Sequence, residues 1–583
     1  MRISRRQGLG LIASGVTGLA TGPVLAASGS PRPQLFFNGD ILTMEGDAAT
    51  YVEALVEKDG RIAFVGALKR ALQMFPDARR RDLAGRTMLP GFIDGHGHVY
   101  IAGLTALMAN VLPPPDGPAA SFESIIATTR AWMESAGGQA FIKTFGWVVA
   151  NGYDDAQLTE KAHPTADLLD RISTDLPVLV IHQSGHVGCL NHKGLAALGY
   201  DRDTPDPKGG VIRRNADGSL AGLVEEAAYN KAAFTILSRT TPEVESAAIA
   251  AGQAHYLAGG YTTAMEARAL PNMTRALETE AKAGRLLIDV IAYPDILANA
   301  AALDSPFHRP DRAYFQHYRI GGAKLSLDGS PQAKTAWLTK PYEVVPHGEA
   351  PDFRGYPSMS DEQARQLVAK AMGAGWQLAC HANGDAAIDQ FIAAVALANA
   401  AGRADHRAVL VHGQTLRSDQ VSQLALNGIL PSLFPSHTFY WGDYHRTSVL
   451  GEERAARISP CRDVLRAGLT LTSHHDAPVI APNAMRVVDA TVNRTTRTGH
   501  LLGADQRLTP YEALRALTAW AAIQCFEEAN KGTLAVGKVA DLVVLSDNPL
   551  KVTPAAIHKI RVEDVFKNGN RRGAIAKDHS KTI

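Results

Sequence analysis

Eight short apolar runs rich in β-branched residues recur along the chain, with helical patterns between several of them. They are "MLPGFID" (88–94), "YTTAMEA" (261–267), "LLIDVIAYP" (287–294 region), "IGGAKLSLD" (320–328), "WQLACHA" (376–382), "AVLVHGQ" (408–414), "GILPSLFP" (428–435) and "LTLTSHHDA" (469–477). Segments such as "DEQARQLVAKAMGAG" and "RSDQVSQLALNG" separate them. Strands alternating with helices build a parallel α/β fold. Eight such units predict a (β/α)8 TIM-like barrel, whose active site lies at the C-terminal ends of the strands. The stretch of about 150 residues between the first and second runs is too long for a loop. It contains strand-like "FIKTFGWVV" and "LPVLVIHQSGH", which predicts an inserted subdomain at about 105–258.

The two ends of the chain share a different texture. "LFFNGDILTM" and "VEALVEKDGRIAFVG" alternate apolar and polar residues and turn at Asn38-Gly39 and Asp59-Gly60. "GKVADLVVLSDN" and "VEDVFKNGN" repeat that texture near the C-terminus. They predict a small β-sandwich built from both termini, 32–88 with 531–575, flanking a barrel at 89–530.

Polar residues recur where the barrel strands end. The first run closes on "DGHGH", and residues two apart in an extended chain point to the same side. His96 and His98 thus leave the strand side by side, aimed where a transition metal can be held. With 20 His in 583 residues, roughly 0.7 such triplets arise by chance, so the triplet alone is weak. The fourth run adds Lys324, the fifth His381, the sixth His412 and the eighth Asp476. Each has an ordinary alternative. His381 and His412 could be hydrogen-bonded core histidines, Lys324 could pair with Asp328, and Asp476 could cap the following helix. Those alternatives do not account for the joint order of His-x-His, Lys, His, His and Asp on strands one, four, five, six and eight.

Composition removes other classes. Lys and Arg total 59 against 58 for Asp and Glu, a balance that argues against a nucleic-acid binder. The four cysteines are scattered without a C-x-x-C pair, so neither a disulfide framework nor a thiolate zinc site is expected. The N-terminal "MRISRRQGLGLIASGVTGLATGPVLAAS" has the basic start, apolar middle and small-residue end of a secretory signal. Ser4-Arg5-Arg6 is similar to a twin-arginine signal over 1–27. The expectation is export to the periplasm or beyond, with no membrane anchor kept after cleavage, since the apolar run is short for a span.

The order of site residues, together with "LPGFIDGHGH", "HQSGHVGCLN", "GLVEEAA", "KLSLDGSPQAKTAWLTKPY", "HANGDAAID", "VHGQT", "HTFYWGDYHR", "HDAPV" and "KGTLAVGKVADLVVL", resembles the amidohydrolase superfamily. The closest likeness is to the amidohydrolase-3 branch, which includes N-substituted formamide deformylase. The resemblance spans nearly all of the chain after the signal. It implies one or two divalent metal ions, usually Zn2+. His96 and His98 would hold the more buried ion with Asp476, and His381 and His412 the other. Lys324 would bridge them as a carboxylated lysine. It also implies a small-molecule substrate, attack by a metal-activated hydroxide, and Asp476 as the catalytic proton shuttle. A homodimer is compatible with it.

This sequence departs from the superfamily's usual Ser-Asp ending of strand eight. It has "TSHHDAPV". Strand alternation puts His474 on the side of Asp476, as a candidate substrate contact, and His475 on the other side, in packing or behind a metal-binding residue. His186 and His437 resemble pocket-lining motifs. Trp147, with Trp441 and Tyr444, is a candidate apolar wall. The expected reaction is hydrolysis of an amide or N-acyl C–N bond. The alternatives are a cyclic imide, lactone or ester hydrolase, or a non-catalytic binding or regulatory protein of the same fold.

Overall fold

One apolar run, Thr87 to Ile93, feeds two different sheets. Thr87–Pro90 pairs with Leu542–Leu545 in a sheet made from both ends of the chain. Phe92–Ile93 pairs in parallel with Tyr261–Ala269. Gly91 sits at the junction, where a Cβ would lie 2.4 Å from the side chain of Thr262. Only glycine lets the strands approach so closely. The computed structural model describes residues 32–346, 348–400 and 405–574. The proposed signal over 1–27 lies outside them.

Every one of the eight expected runs contains a strand, and they follow one another in sequence order. Phe92–Ile93, Tyr261–Ala269, Asp289–Pro294 and Tyr318–Ile320 form one parallel arc. Gly322–Ser326, Gln377–Ala382, Val409–His412, Leu430–Leu433 and Thr472–Ser473 form a second. The fourth run is divided between the arcs at Gly321, whose Cβ would meet Ile291 at 2.6 Å. A bridge between Asp295 and Lys324 joins the arcs on that side. On the other, the Asp476 amide donates to the His96 carbonyl at 3.2 Å and the His98 amide to the Ala477 carbonyl at 2.9 Å. Helices including Pro242–Ala258, Asp361–Gly373 and Asp385–Ala398 separate successive strands. This is a mixed α/β, barrel-like arrangement. Its core is a large apolar cluster that takes in residues such as Val290, Leu378 and Leu410.

The insertion after the first strand carries its own six-stranded sheet and its own apolar cluster around Val148, Val180 and Ile125. The expected strand in "FIKTFGWVV" is half helix. Ala136–Phe145 is helical and ends at Gly146, at φ 67°, before the strand Val148–Tyr153 begins. A left-handed glycine is a common helix stop, and it separates two elements that hydropathy alone runs together. The termini also differ from expectation. Their eight strands belong to one hydrogen-bonded sheet, not to the two sheets of a sandwich. Among the described residues no helix is long and apolar enough to cross a membrane.

A buried charge network fastens this terminal sheet to the barrel. Asp289 opens the third barrel strand and is ion-paired with Lys531 and Lys567. Lys567 ends the terminal-sheet strand Val562–Lys567 and also reaches Asp541 at 2.7 Å. His317 Nδ1 lies 2.6 Å from the other Asp289 oxygen. Both lysines and both aspartates are at most 5% exposed. Burial alone would raise the Asp289 carboxyl, but the two ammonium groups hold it well below the usual carboxylate range. A carboxylate depressed in this way stabilises the fold above its unfolded value near 4 and loses that contribution as pH falls through the folded value. Breaking a buried pair by removing one partner costs about 3–5 kcal/mol. Asp289→Asn is therefore expected to lower the unfolding free energy by an amount of that order at pH 7, seen as a lower denaturant midpoint. The difference from the unmodified chain should shrink as pH falls into the acid range, read from unfolding curves at several pH values.

Candidate active site

The ends of strands one, four, five, six and eight open into one cavity of about 220 Å³, lined by His96, His98, Lys324, His381, His412 and Asp476 among others. Asp476 is its centre. Its Oδ1 lies 3.4 Å from both His96 Nε2 and His98 Nε2, and its Oδ2 lies 3.8 Å from His412 Nε2. Asp476 and His412 both have left-handed backbones, at φ 53° and 71°. Such conformations in non-glycine residues cost about 1–3 kcal/mol each and persist where the surroundings enforce them.

The imidazoles are largely in the form that binds metal. Burial, reinforced by Lys324, holds His96 well below its ordinary value. Burial and the neighbouring His381 do the same to His412, and burial takes His381 down to about 3. His98 runs the other way. Burial opposes its charge, but Asp476 and Glu266 outweigh that and raise it to about 9. Glu266 is fully buried in strand two. One oxygen lies 3.3 Å from His98 Nδ1, and the other accepts from the Tyr100 amide at 2.9 Å. A carboxylate behind a ligating histidine fixes its ring and tautomer.

A second set of contacts orients His412. Ser432 Oγ donates to the Gly95 carbonyl at 3.3 Å, so it accepts from His474 Nδ1 at 2.9 Å. His474 Nε2 then accepts from His412 Nδ1 at 3.1 Å. The chain of donors leaves the His412 Nε2 lone pair facing Asp476. His381 is fixed from its other nitrogen. Nε2 lies 3.1 Å from the Gly329 carbonyl, which leaves Nδ1 as its free lone pair.

Lys324 is 2% exposed, and its Nζ has no hydrogen-bond partner among the described residues. Burial lowers it to about 8, although Asp476 pulls upward. An unpaired buried ammonium is costly, so this position fits an amine that is neutral, modified or close to a cation-binding set. His96, His412 and Asp476 present ligand atoms all within 4.8 Å of one another. Imidazoles and a carboxylate in that grouping suit a divalent transition metal.

The structure sorts the other expected residues. His186 and His437 line the cavity, as does Trp441. His186 Nδ1 is 3.2 Å from Glu226. His437 is 4% exposed with a buried Nδ1 that has no partner. His474 does not reach the cavity. It is fully buried beneath His412, so the expected substrate contact is corrected to a support for a ligand. Trp147 is also corrected. It is 1% exposed in the main apolar core with Phe141 and Phe145, because it follows the Gly146 helix stop into the interior. Tyr444 packs on a separate cluster beside Leu338 and Val449. His475 packs between Tyr256 and Tyr261, with Nε2 3.4 Å from Asp94.

Sequence reading missed Glu266, Arg268 and Asp328. Glu266 was visible as an acid inside an apolar strand, "YTTAMEARA". Asp328 accepts from the amides of Asn383, Gly384 and Trp337 at 2.7–3.0 Å, a loop contact that no local spacing encodes.

Comparison with known proteins agrees with this geometry. The profile of the Amidohydrolase family matches residues 79–572. An N-substituted formamide deformylase of Arthrobacter pascens is 24% identical, covering 92% of this chain and 98% of its own. The protein LONG AFTER FAR-RED 3 of Arabidopsis thaliana is 26% identical, covering 88% and 87%. The crystal structure of an uncharacterized metal-dependent hydrolase from Pyrococcus horikoshii OT3 superposes with a TM-score of 0.71 at 25% identity, over 90% of this chain and 99% of that one.

The His412–His474–Ser432 contacts carry an expectation of their own. His474→Phe keeps a ring but removes both hydrogen bonds. It should weaken divalent-metal affinity by about 10- to 100-fold, the usual effect of losing a partner behind a ligand. Competition with a chromogenic chelator measures it, and unchanged affinity would remove the supporting role.

Proposed function

The chain belongs to the amidohydrolase family, and from that premise we propose that it hydrolyses an amide or N-acyl C–N bond of a small molecule. The observation that carries this reading is the gathering of His96, His98 and His412 around Asp476, with a buried, unpartnered Lys324 in the same cavity. We assign one or two Zn2+ ions to this site: His96 and His98 would hold one with Asp476, His381 and His412 would hold the other, and Lys324, carboxylated, would be a further ligand. The two arcs of strands then act as one closed barrel with this mouth. A divalent ion bound there supplies a nucleophilic water near neutral pH and polarises a carbonyl.

The protein's own groups do the rest. Asp476 faces the histidines and the open cavity together, so its carboxylate can accept a proton from the attacking water. It can then return that proton to the leaving nitrogen. An amide requires the second transfer, because an unprotonated amine anion is a very poor leaving group. His437, held neutral by burial, can offer an N–H to the carbonyl oxygen as charge develops there. Trp441 closes one wall and limits water.

Two outcomes test the assignment. Asp476→Asn should keep most of its metal and lose turnover by a factor on the order of 10² to 10⁴, the contribution of a positioned general base. Activated anilides, which leave without much protonation, should lose less than alkyl amides. Near-normal alkyl-amide turnover would move the shuttle to another residue. Lys324→Ala should lose metal and activity together, and short carboxylates in the buffer should restore part of both. Full metal content and full turnover in that variant would end the role given to Lys324.

A further inference from the structure

Strand two delivers more than the support for His98. Two residues beyond Glu266, where the pairing with strand three becomes irregular, Arg268 reaches the cavity wall. Its Nε donates to Asp295 Oδ2 at 3.0 Å, and that is the hydrogen bond made by its guanidinium among the described residues. Asp295 is itself fixed. It ends strand three, and its Oδ1 accepts from the amides of Leu297 and Ala298 at 2.9 and 3.0 Å. Arg268 is therefore held by one nitrogen, while its side chain stays 57% exposed and its two Nη groups make no hydrogen bond among the described residues. This is a preorganised fork rather than a satisfied ion pair.

The surroundings specify what that fork can take. Among the described residues, Arg268 is the one arginine lining this cavity. The nearby Asp328 is occupied by three backbone amides and offers no competing partner. Ser184, Ser330, Gln332 and Asn383 complete a neutral polar wall. A guanidinium presenting parallel N–H groups matches a planar carboxylate in a two-point contact, which lysine cannot reproduce. A cationic substrate would be repelled, and a neutral one would leave the fork to water.

We propose that the substrates are amides bearing a carboxylate, such as N-acylated amino acids or monoamides of dicarboxylic acids, and that Arg268 recognises the carboxylate. This rests on the hydrolase reading above and narrows it to a substrate class.

The test uses the metal-loaded full chain and matched pairs. N-acetylglycine is set against N-acetylglycinamide, with the carboxylate on the amine side. N-methylsuccinamic acid is set against its primary-amide analogue, with the carboxylate on the acyl side. Two readouts are taken: kcat/KM, and the shift in thermal midpoint that each compound causes. The carboxylate member of at least one pair should be preferred by about 10- to 100-fold in kcat/KM, in line with a charge-assisted contact. Arg268→Met should bring that ratio close to one, and Arg268→Lys should keep part of it. Circular dichroism confirms that both variants are folded. A ratio near one in the unmodified protein, or a preference that survives Arg268→Met, overturns the proposal while leaving the hydrolase reading intact. If no compound is cleaved, the hydrolase reading suffers, and the thermal shift decides recognition by itself. A carboxylate-specific stabilisation lost in Arg268→Met supports it, and no such stabilisation overturns it.

Discussion

Four imidazoles and one amine, taken out of water at the ends of parallel strands, set the terms for everything around them. Removing polar groups from water is costly unless each finds a partner. The chain supplies those partners selectively. Glu266 stands behind His98, the His474–Ser432 pair behind His412, and the Gly329 carbonyl behind His381. In each case the second nitrogen is satisfied and the first is left toward the cavity. Lys324 receives none. The pattern of what is satisfied and what is left open is the strongest argument that the site is made to hold a cation.

Much of this was legible in the sequence, and the limits have physical causes. Eight apolar runs identified eight strands because burial on both faces leaves a continuous hydrophobic signal. The residues that end those strands could be ranked by strand parity, and His475 does pack away from the cavity between Tyr256 and Tyr261. Parity failed for His474. The strand pairing stops at Ser473, so alternation no longer governs the next side chain. Trp147 misled because an aromatic residue carries no mark of whether it faces a cavity or a core. The Asp328 loop contacts join residues about fifty positions apart and have no periodic trace. "FIKTFGWVV" read as one strand because a hydropathy run does not register the glycine that ends a helix inside it.

The site also depends on backbone geometry that side-chain chemistry alone would not predict. His412 and Asp476 stand in left-handed conformations. The loop after strand eight is pinned to strand one through the Asp476 and His98 amides. The strain is held by neighbours on both sides, so imidazoles from distant segments meet within 3.4–3.8 Å of one carboxylate. Arg268 follows the same logic on a smaller scale, fixed at one nitrogen so that its remaining donors stay aimed.

The terminal sheet has a consequence for the order of events in folding. Thr87–Pro90 pairs with Leu542–Leu545, strands more than 400 residues apart in the sequence. Contacts of such sequence separation form late, because the intervening loop must be closed before they contribute. Until then the strands over 34–90 present an unpaired edge, which invites association with other chains. The segment between them can gather its core in the meantime, but the sheet is sealed only when Leu542–Leu545 has paired. The chain is therefore most exposed to chaperones and to its own copies until that strand is in place.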